Sequence, residues 1–314
     1  MKILLHYAAG PSWQRDLASL RSRGLEVECC DESNDDRFYA LLPEVEVLWH
    51  LLRPLSADDI AKATRLRLIQ KIGVGVNTID LEAAKSRGVA VSNMPGTNTR
   101  AVVEMALLLM LACLRRLPLL DPATREGRGW QLPSELQDSL GEMAGRTVGL
   151  VGYGAVGQTL APILTAMDAK VIYTDAVPNP ENPDGFRTLD DLLREADIVS
   201  LHVPLTPETA RLINQERIES MRPGAILVNT ARGGLVDQPA LVAALRSGRI
   251  GAAGLDVFDC EPVNVANPLL DLDSVVVTPH LAWLTTGTLR RSLEVAVENC
   301  RRLAAGEPLL HRVV

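Results

Sequence analysis

The stretch TVGLVGYGAVGQTLAPILTAM, residues 147–167, restricts the fold more than any other part of the chain. A β-branched apolar run enters three glycines, Gly152, Gly154 and Gly157, spaced G-x-G-x-x-G, and a helical pattern leaves them. That is the strand, turn and helix setting this motif requires. The first glycine permits a tight turn, the second lets backbone approach a pyrophosphate, and the third lets the helix pack closely. The free N–H groups of the helix start then favour an anion. A parallel α/β sheet that binds a dinucleotide is expected. The next strand, KVIYTD, ends at Asp175, eighteen residues beyond Gly157. A carboxylate there accepts hydrogen bonds from the ribose hydroxyls and repels a 2′-phosphate, so NAD is expected over NADP.

The same alternation runs through the rest of the chain. KILLHY, LEVEC, VEVLWH, RLIQKI and VAVSN read as strands, with helical patterns near Pro11 to Ser22, Asp35 to Leu42, Ser56 to Ala63 and Leu81 to Arg87. From Arg146 the pattern restarts with TVGLVGY, KVIYTD, DIVSLHV, GAILVNT, AAGLDVF and VVVTPH. At 314 residues the chain exceeds the size at which one core usually divides, so two α/β units are expected. Between them lies AVVEMALLLMLACL, beginning at Ala101, which is too short for a membrane span. It reads as a helix buried on most sides, with Glu104 as a buried structural partner. The polar stretch DPATREGRGWQLPSELQDSLGEM that follows is expected to wrap the surface.

The formal net charge of -7 offers no basic footprint for nucleic acid or an anionic membrane, which leaves a small molecule as the expected partner. Cys29, Cys30, Cys113, Cys260 and Cys300 show neither paired secretory spacing nor a Cys-x-x-Cys pattern, and read as reduced thiols in a cytoplasmic protein. The apolar run in the opening MKILLHYAAG is too brief for a signal peptide and reads as a first strand. No cluster of His, Cys, Asp and Glu has metal spacing, so no metal is expected.

In open α/β sheets ligands lie beyond the carboxyl ends of strands, and AILVNT is followed there by Arg232, with Gly233 and Gly234 leaving room for a close approach. A planar, permanently charged fork suits a carboxylate. Two further strand ends present Asp256 and Glu261 in GLDVFDCEP, and His280 in VVVTPH. Reduction of an α-keto acid needs a cation for the carboxylate and ketone, a proton donor near neutrality, and a hydride source. Imidazole has the right unperturbed pKa for the donor, and a neighbouring carboxylate such as Glu261 would hold its charged form and its orientation.

VGLVGYGAVG, HVPLTPET, NTARGGLVD, GLDVFDCEP and TPHLAW, in this order and at these separations, resemble the D-isomer-specific 2-hydroxyacid dehydrogenases. GVGVNTIDL and NMPGTNTRAVVEMALLLML resemble that family's substrate-loop and hinge-helix segments, so the resemblance covers nearly the whole chain. It implies two Rossmann-like or flavodoxin-like parallel-sheet domains. A nucleotide-binding domain, 96–283, would be inserted into a discontinuous catalytic domain, 1–95 with 284–314. The resemblance makes Arg232 the substrate-binding arginine, Glu261 the acid paired with histidine, and His280 the general acid/base. It sets Asp256 toward the nicotinamide carboxamide, and His202, Tyr153, Ala155, Val156 and Thr230 against the NAD cofactor. The backbone N–H groups of Val74 and Gly75 would receive the substrate carboxylate, with Asn98 an active-site asparagine at the hinge. A homodimer is also implied. Ala155 departs from the arginine often found in the glycine loop, which removes one phosphate contact. TPHLAW and NPLL lean toward the hydroxypyruvate and glyoxylate reductase branch.

Other residues carry weaker readings. Trp49, His50, Arg53 and Trp283 are candidates for substrate specificity, although core packing accounts equally for a tryptophan and solvation for Arg53. His202 divides evenly between a cofactor contact and a satisfied structural histidine, while His6 reads as a strand-end residue and His311 as a surface one. A different class of function also fits the sequence: an NAD(H)-sensing scaffold or corepressor that keeps the fold without appreciable turnover.

Overall fold

The computed structural model describes every residue, Met1–Val314, and the chain divides into two compact units. Met1–Asn98 and Leu284–Val314 make the first; Thr99–Trp283 makes the second. Each is built on one parallel sheet.

In the first unit β1 (Lys2–His6), α1 (Pro11–Ser19), β2 (Glu26–Cys30), α2 (Asp35–Leu41), β3 (Val47–His50), α3 (Ala57–Lys62), β4 (Leu68–Lys71), α4 (Leu81–Ser86) and β5 (Ala90–Ser92) follow in turn. The sheet order is β2-β1-β3-β4-β5, with all neighbours parallel. The order therefore reverses between β1 and β3, the switch point at which such sheets open a crevice at their carboxyl edge. Buried strands need apolar side chains on both faces, and β3 and β4 are buried at every position. Helix starts are written locally: Ser56 and Asp59 form a reciprocal capping box on α3, and Asp80 caps α4 through the Ala83 N–H.

The second unit begins with α5 (Thr99–Leu114) and α6 (Leu117–Arg125). It continues through β6 (Thr147–Val151), α7 (Ala155–Ala166), β7 (Lys170–Thr174), α8 (Leu189–Glu195), β8 (Ile198–Leu201), α9 (Gln215–Ser220), β9 (Ala225–Asn229), α10 (Gln238–Arg246), β10 (Ile250–Leu255) and β11 (Val275–Val277). Its parallel sheet runs β11-β10-β9-β8-β6-β7 and reverses between β6 and β8. One face packs Leu192, Leu193, Ile218 and Leu241 of α8, α9 and α10; the other packs Leu109, Met110, Leu160 and Leu164 of α5 and α7. The chain then returns to the first unit as α11 (Thr286–Ala305). Asn299 anchors that helix, donating to the Gln70 side chain at 2.6 Å and exchanging hydrogen bonds with Leu310. A buried amide satisfied in this way fixes a helix to its sheet.

Two expectations about the long apolar helix change. Glu104 is exposed rather than buried, and Leu108 is 52% exposed, because α5 covers the sheet with one face only. The polar stretch after it supplies the end of α6 and a short 3₁₀ turn, Ser134–Ser139, with Trp130 on the surface. No helix is long and apolar enough to cross a membrane.

Candidate active site

The loops at the carboxyl ends of the second sheet hold most of the candidate residues. The first follows β6. Gly152 takes φ +101°, and a Cβ there would lie 2.8 Å from the His202 carbonyl carbon; a Cβ on Gly157 would lie 2.5 Å from the Gly152 oxygen. Gly154, by contrast, faces open space and begins α7 without a side-chain cap. Two glycines thus close the turn, and the third leaves the first N–H groups of α7 uncovered for an anion.

Asp175, just past β7, accepts from the Tyr153 N–H and the Ala176 N–H, each at 2.7 Å, so the expected ribose-reading carboxylate also holds the glycine turn. Tyr153 stacks on Tyr173 with ring centroids 3.9 Å apart. Among the buried polar atoms without a protein partner are the Thr230 hydroxyl, just past β9, and the His202 Nε2, just past β8. Burial lowers the His202 pKa to about 4, so the ring is neutral. An open helix start, a fixed carboxylate and unfilled polar atoms fit a dinucleotide.

Beyond β9 the buried Asn229 shapes the bend, accepting from the Ala231 N–H at 3.0 Å and donating to the Arg232 carbonyl at 2.8 Å. Gly233 is obligatory for space: a Cβ would lie 1.9 Å from the Phe258 carbonyl carbon. Arg232 is half-buried; burial draws its pKa down and Glu261 opposes this, and a guanidinium stays charged throughout the working pH range.

Glu261 accepts from the Phe258 N–H at 2.9 Å and lies 2.6 Å from His280 Nδ1. Burial pushes this carboxyl up, yet the His280 hydrogen bond and charge, the Phe258 N–H and Arg232 together hold it below its ordinary value. An ionised carboxylate only accepts, so Nδ1 carries a proton and Nε2 is the nitrogen left for chemistry.

Asp256, at the end of β10, is fully buried and organises the histidine loop. Its carboxylate accepts from the Thr278 hydroxyl at 2.5 Å, the Leu281 N–H at 2.9 Å and the Ala282 N–H at 2.8 Å, and its carbonyl accepts from the His280 N–H at 2.7 Å. Burial raises its pKa against those bonds. The carboxylate assigned to the nicotinamide carboxamide thus already serves this loop, in which His280 takes the left-handed φ of 57°.

The remaining sequence candidates each fall within one unit. In the first, Val74 is 45% exposed, and neither its N–H nor that of Gly75 donates to an acceptor of that unit. Asn98 is half-buried. Trp49 is 1% exposed and His50 fully buried on the opposite face of β3, so neither presents a surface; alternation along a buried strand turns each into the interior. Arg53 is not simply solvated: it pairs with Asp35 at 2.9 Å and lies 4.9 Å from the Phe38 ring centroid. In the second unit, Trp283 is buried. Asn229 and Thr278 were not among the residues expected at the site, although they stand in NTARGGLVD and TPHLAW.

Comparison with known proteins adds an independent finding. Residues 107–282 match the family described as D-isomer specific 2-hydroxyacid dehydrogenase, NAD binding domain. The chain is 40% identical over 290 residues to a D-3-phosphoglycerate dehydrogenase of Mycobacterium tuberculosis, covering 90% of this chain and 54% of that protein. It thus spans about half the length of the phosphoglycerate dehydrogenases it matches. A hydroxypyruvate reductase of Thermotoga maritima is 40% identical over 271 residues, covering 85% of this chain and 87% of the relative. Among solved structures, the TT0316 protein from Thermus thermophilus superposes with a TM-score of 0.90 at 40% identity, with both chains fully covered.

Proposed function

The chain belongs to the D-isomer-specific 2-hydroxyacid dehydrogenase family, and from that premise we propose that it is an NAD(H)-dependent oxidoreductase interconverting a small 2-keto acid and its D-2-hydroxy acid. The observation that carries the reading is the 2.6 Å contact between Glu261 and His280 Nδ1 in a loop held by Asp256, with Arg232 close enough for its charge to act on Glu261.

NADH, when bound, supplies the hydride for the ketone carbon. Arg232 holds the carboxylate and draws electron density toward the keto oxygen. His280 Nε2 gives its proton to that oxygen, while the Glu261 carboxylate steadies the imidazolium until the proton leaves. The ketone thus gains one hydride and one proton and becomes an alcohol, and His280 recovers its proton from water. The Val74 and Gly75 N–H groups are assigned to the substrate carboxylate, as the resemblance implies. The glycine turn and the α7 start would hold the cofactor's pyrophosphate, and Asp175 its ribose. The names of relatives, hydroxypyruvate reductase and glyoxylate reductase, support a substrate of two or three carbons. We extend the proposal to a homodimer in a reducing cytoplasm, where all five cysteines stay as free thiols.

The test is absorbance at the nicotinamide band with purified protein, NADH, and glyoxylate, hydroxypyruvate or pyruvate, and in reverse with NAD and D-3-phosphoglycerate. Turnover with a 2-keto acid is expected, and Arg232→Lys should lower kcat at least 10-fold and raise KM, because an ammonium cannot make the forked contact. No turnover with any acid favours a cofactor-sensing scaffold; unchanged kinetics in the variant removes Arg232 from the reaction.

A further inference from the structure

A lysine stands inside the first unit where the apolar pattern of RLIQKI leaves no evident place for one. Lys71 closes β4 and is 4% exposed. It is in register with His50 of β3, which is in register with His6 of β1, so the three side chains share the sheet face covered by Phe38, Ile60 and Ala84 of α2, α3 and α4.

Its Nζ donates to the Leu51 carbonyl, to the Thr78 hydroxyl at 3.1 Å and toward His50 Nδ1 at 3.4 Å. A lysine ammonium only donates, so Nδ1 accepts and His50 carries its proton on Nε2, which donates to the Arg53 carbonyl at 2.6 Å. Burial and then the charge of Lys71 hold His50 well below the usual imidazole range, in keeping with a neutral ring. Leu51 and Arg53 belong to the loop after β3. Thr78 belongs to the loop after β4, which also contains Val74 and Gly75. One buried cation therefore joins both loops. Gly73, Val74 and Thr78 of the second loop are further held by the Met94 N–H at 2.8 Å, the Asn93 side chain at 2.9 Å and the Leu55 N–H at 2.8 Å. Between these points the Val74 and Gly75 N–H groups stay free of their own unit.

We propose that Lys71 is a positioning residue for the substrate: through Thr78, Leu51 and the His50–Arg53 link it fixes the loop conformation in which the Val74 and Gly75 N–H groups receive the 2-keto acid carboxylate. This rests on the carboxylate assignment made above for those two N–H groups. A buried network is either satisfied throughout or loses its shape, and removing Lys71 would orphan Leu51 O and His50 Nδ1 together.

The experiment compares wild type with Lys71→Met, which keeps chain length and removes every donor, and with Lys71→Arg and the milder Thr78→Val. KM and kcat are measured for the best 2-keto acid and for its methyl ester, with NADH affinity by fluorescence titration. Lys71→Met should raise KM for the acid at least 10-fold, leave kcat within about 3-fold and leave NADH affinity unchanged. Thr78→Val should raise KM about 3-fold, and Lys71→Arg should restore part of the loss. Should Lys71→Met fail to fold, Thr78→Val carries the test alone. A variant that melts earlier with an unmoved KM assigns the network to stability and overturns the proposal. A wild type that takes acid and ester alike overturns the carboxylate assignment and the proposal with it. Discrimination by wild type together with an unmoved KM in the variants overturns the proposal alone.

Discussion

Gly233→Ala is the sharpest perturbation available, because the clash it creates is wholly with backbone. The added Cβ would lie 1.9 Å from the Phe258 carbonyl carbon, 2.0 Å from its oxygen and 2.4 Å from the Asp259 nitrogen. Real contacts of this kind stay beyond 3.0 Å, so the two segments must part by at least about 1.1 Å. Arg232 precedes the glycine directly, and the Phe258 N–H holds Glu261, which holds His280. The separation therefore reaches all three proposed groups. Displacement of about 1 Å costs on the order of 10²-fold in rate, or about 2.7 kcal/mol of barrier. Overpacking should cost the fold about 1–3 kcal/mol, a Tm lower by roughly 2–12 °C in a unit of this size. Steady-state kinetics by nicotinamide absorbance and a thermal melt read both effects. Gly234→Ala is the control: its Cβ meets only flexible ends of the Leu205 side chain at 3.1 Å, and kcat/KM should stay within about 3-fold. Equal damage from the two alanines, or intact kinetics in Gly233→Ala, would refute this reasoning.

Asp175→Ala should reduce the preference for NADH over NADPH by at least 10-fold and weaken NADH binding, since the carboxylate also holds the Tyr153 N–H; an unmoved ratio of kcat/KM values assigns ribose reading to another group. Acid should destabilise the first unit through His6, whose pKa burial and then Arg53 lower to about 4. The unfolded chain takes up the proton first, near 6.5, so the stabilisation is complete above that pH and is lost as pH falls toward 4, by about 2 kcal/mol at pH 5. His6→Leu should therefore lose less unfolding free energy between pH 7.5 and 5 than wild type, and parallel losses would contradict the assignment.

The glycine loop was legible in sequence because its chemistry is tied to spacing within one strand, turn and helix. Strand and helix order were legible for a similar reason: buried parallel strands leave continuous apolar runs between capped helices. Arg232, Glu261 and His280 could be suggested from strand ends, and Glu261 as the partner of His280 from what an imidazole donor needs, while the resemblance assigned the three their roles. The role of Asp256 as holder of the histidine loop was not legible, because its partners Thr278, Leu281 and Ala282 lie beyond a long connection. Glu104 misled, and Trp49 was left open between a substrate contact and the core, where it is buried. A helix that covers a sheet with one face can be apolar all round and still expose a carboxylate. A tryptophan near a strand end can belong to the core. Lys71 drew no reading at all, since a lysine in a short apolar strand gives no sign of acceptors contributed by two loops.

The histidine loop has a consequence for how the second unit behaves when warmed. His280 stands in a left-handed backbone conformation secured by β10, a strand hydrogen-bonded on both sides. The imidazole is aimed by two holds, this backbone and the Glu261 carboxylate on Nδ1, so its direction does not rest on a mobile side chain alone. Heat inactivation should then track disassembly of that sheet as a single event, with no earlier stage in which a folded but misdirected catalyst accumulates.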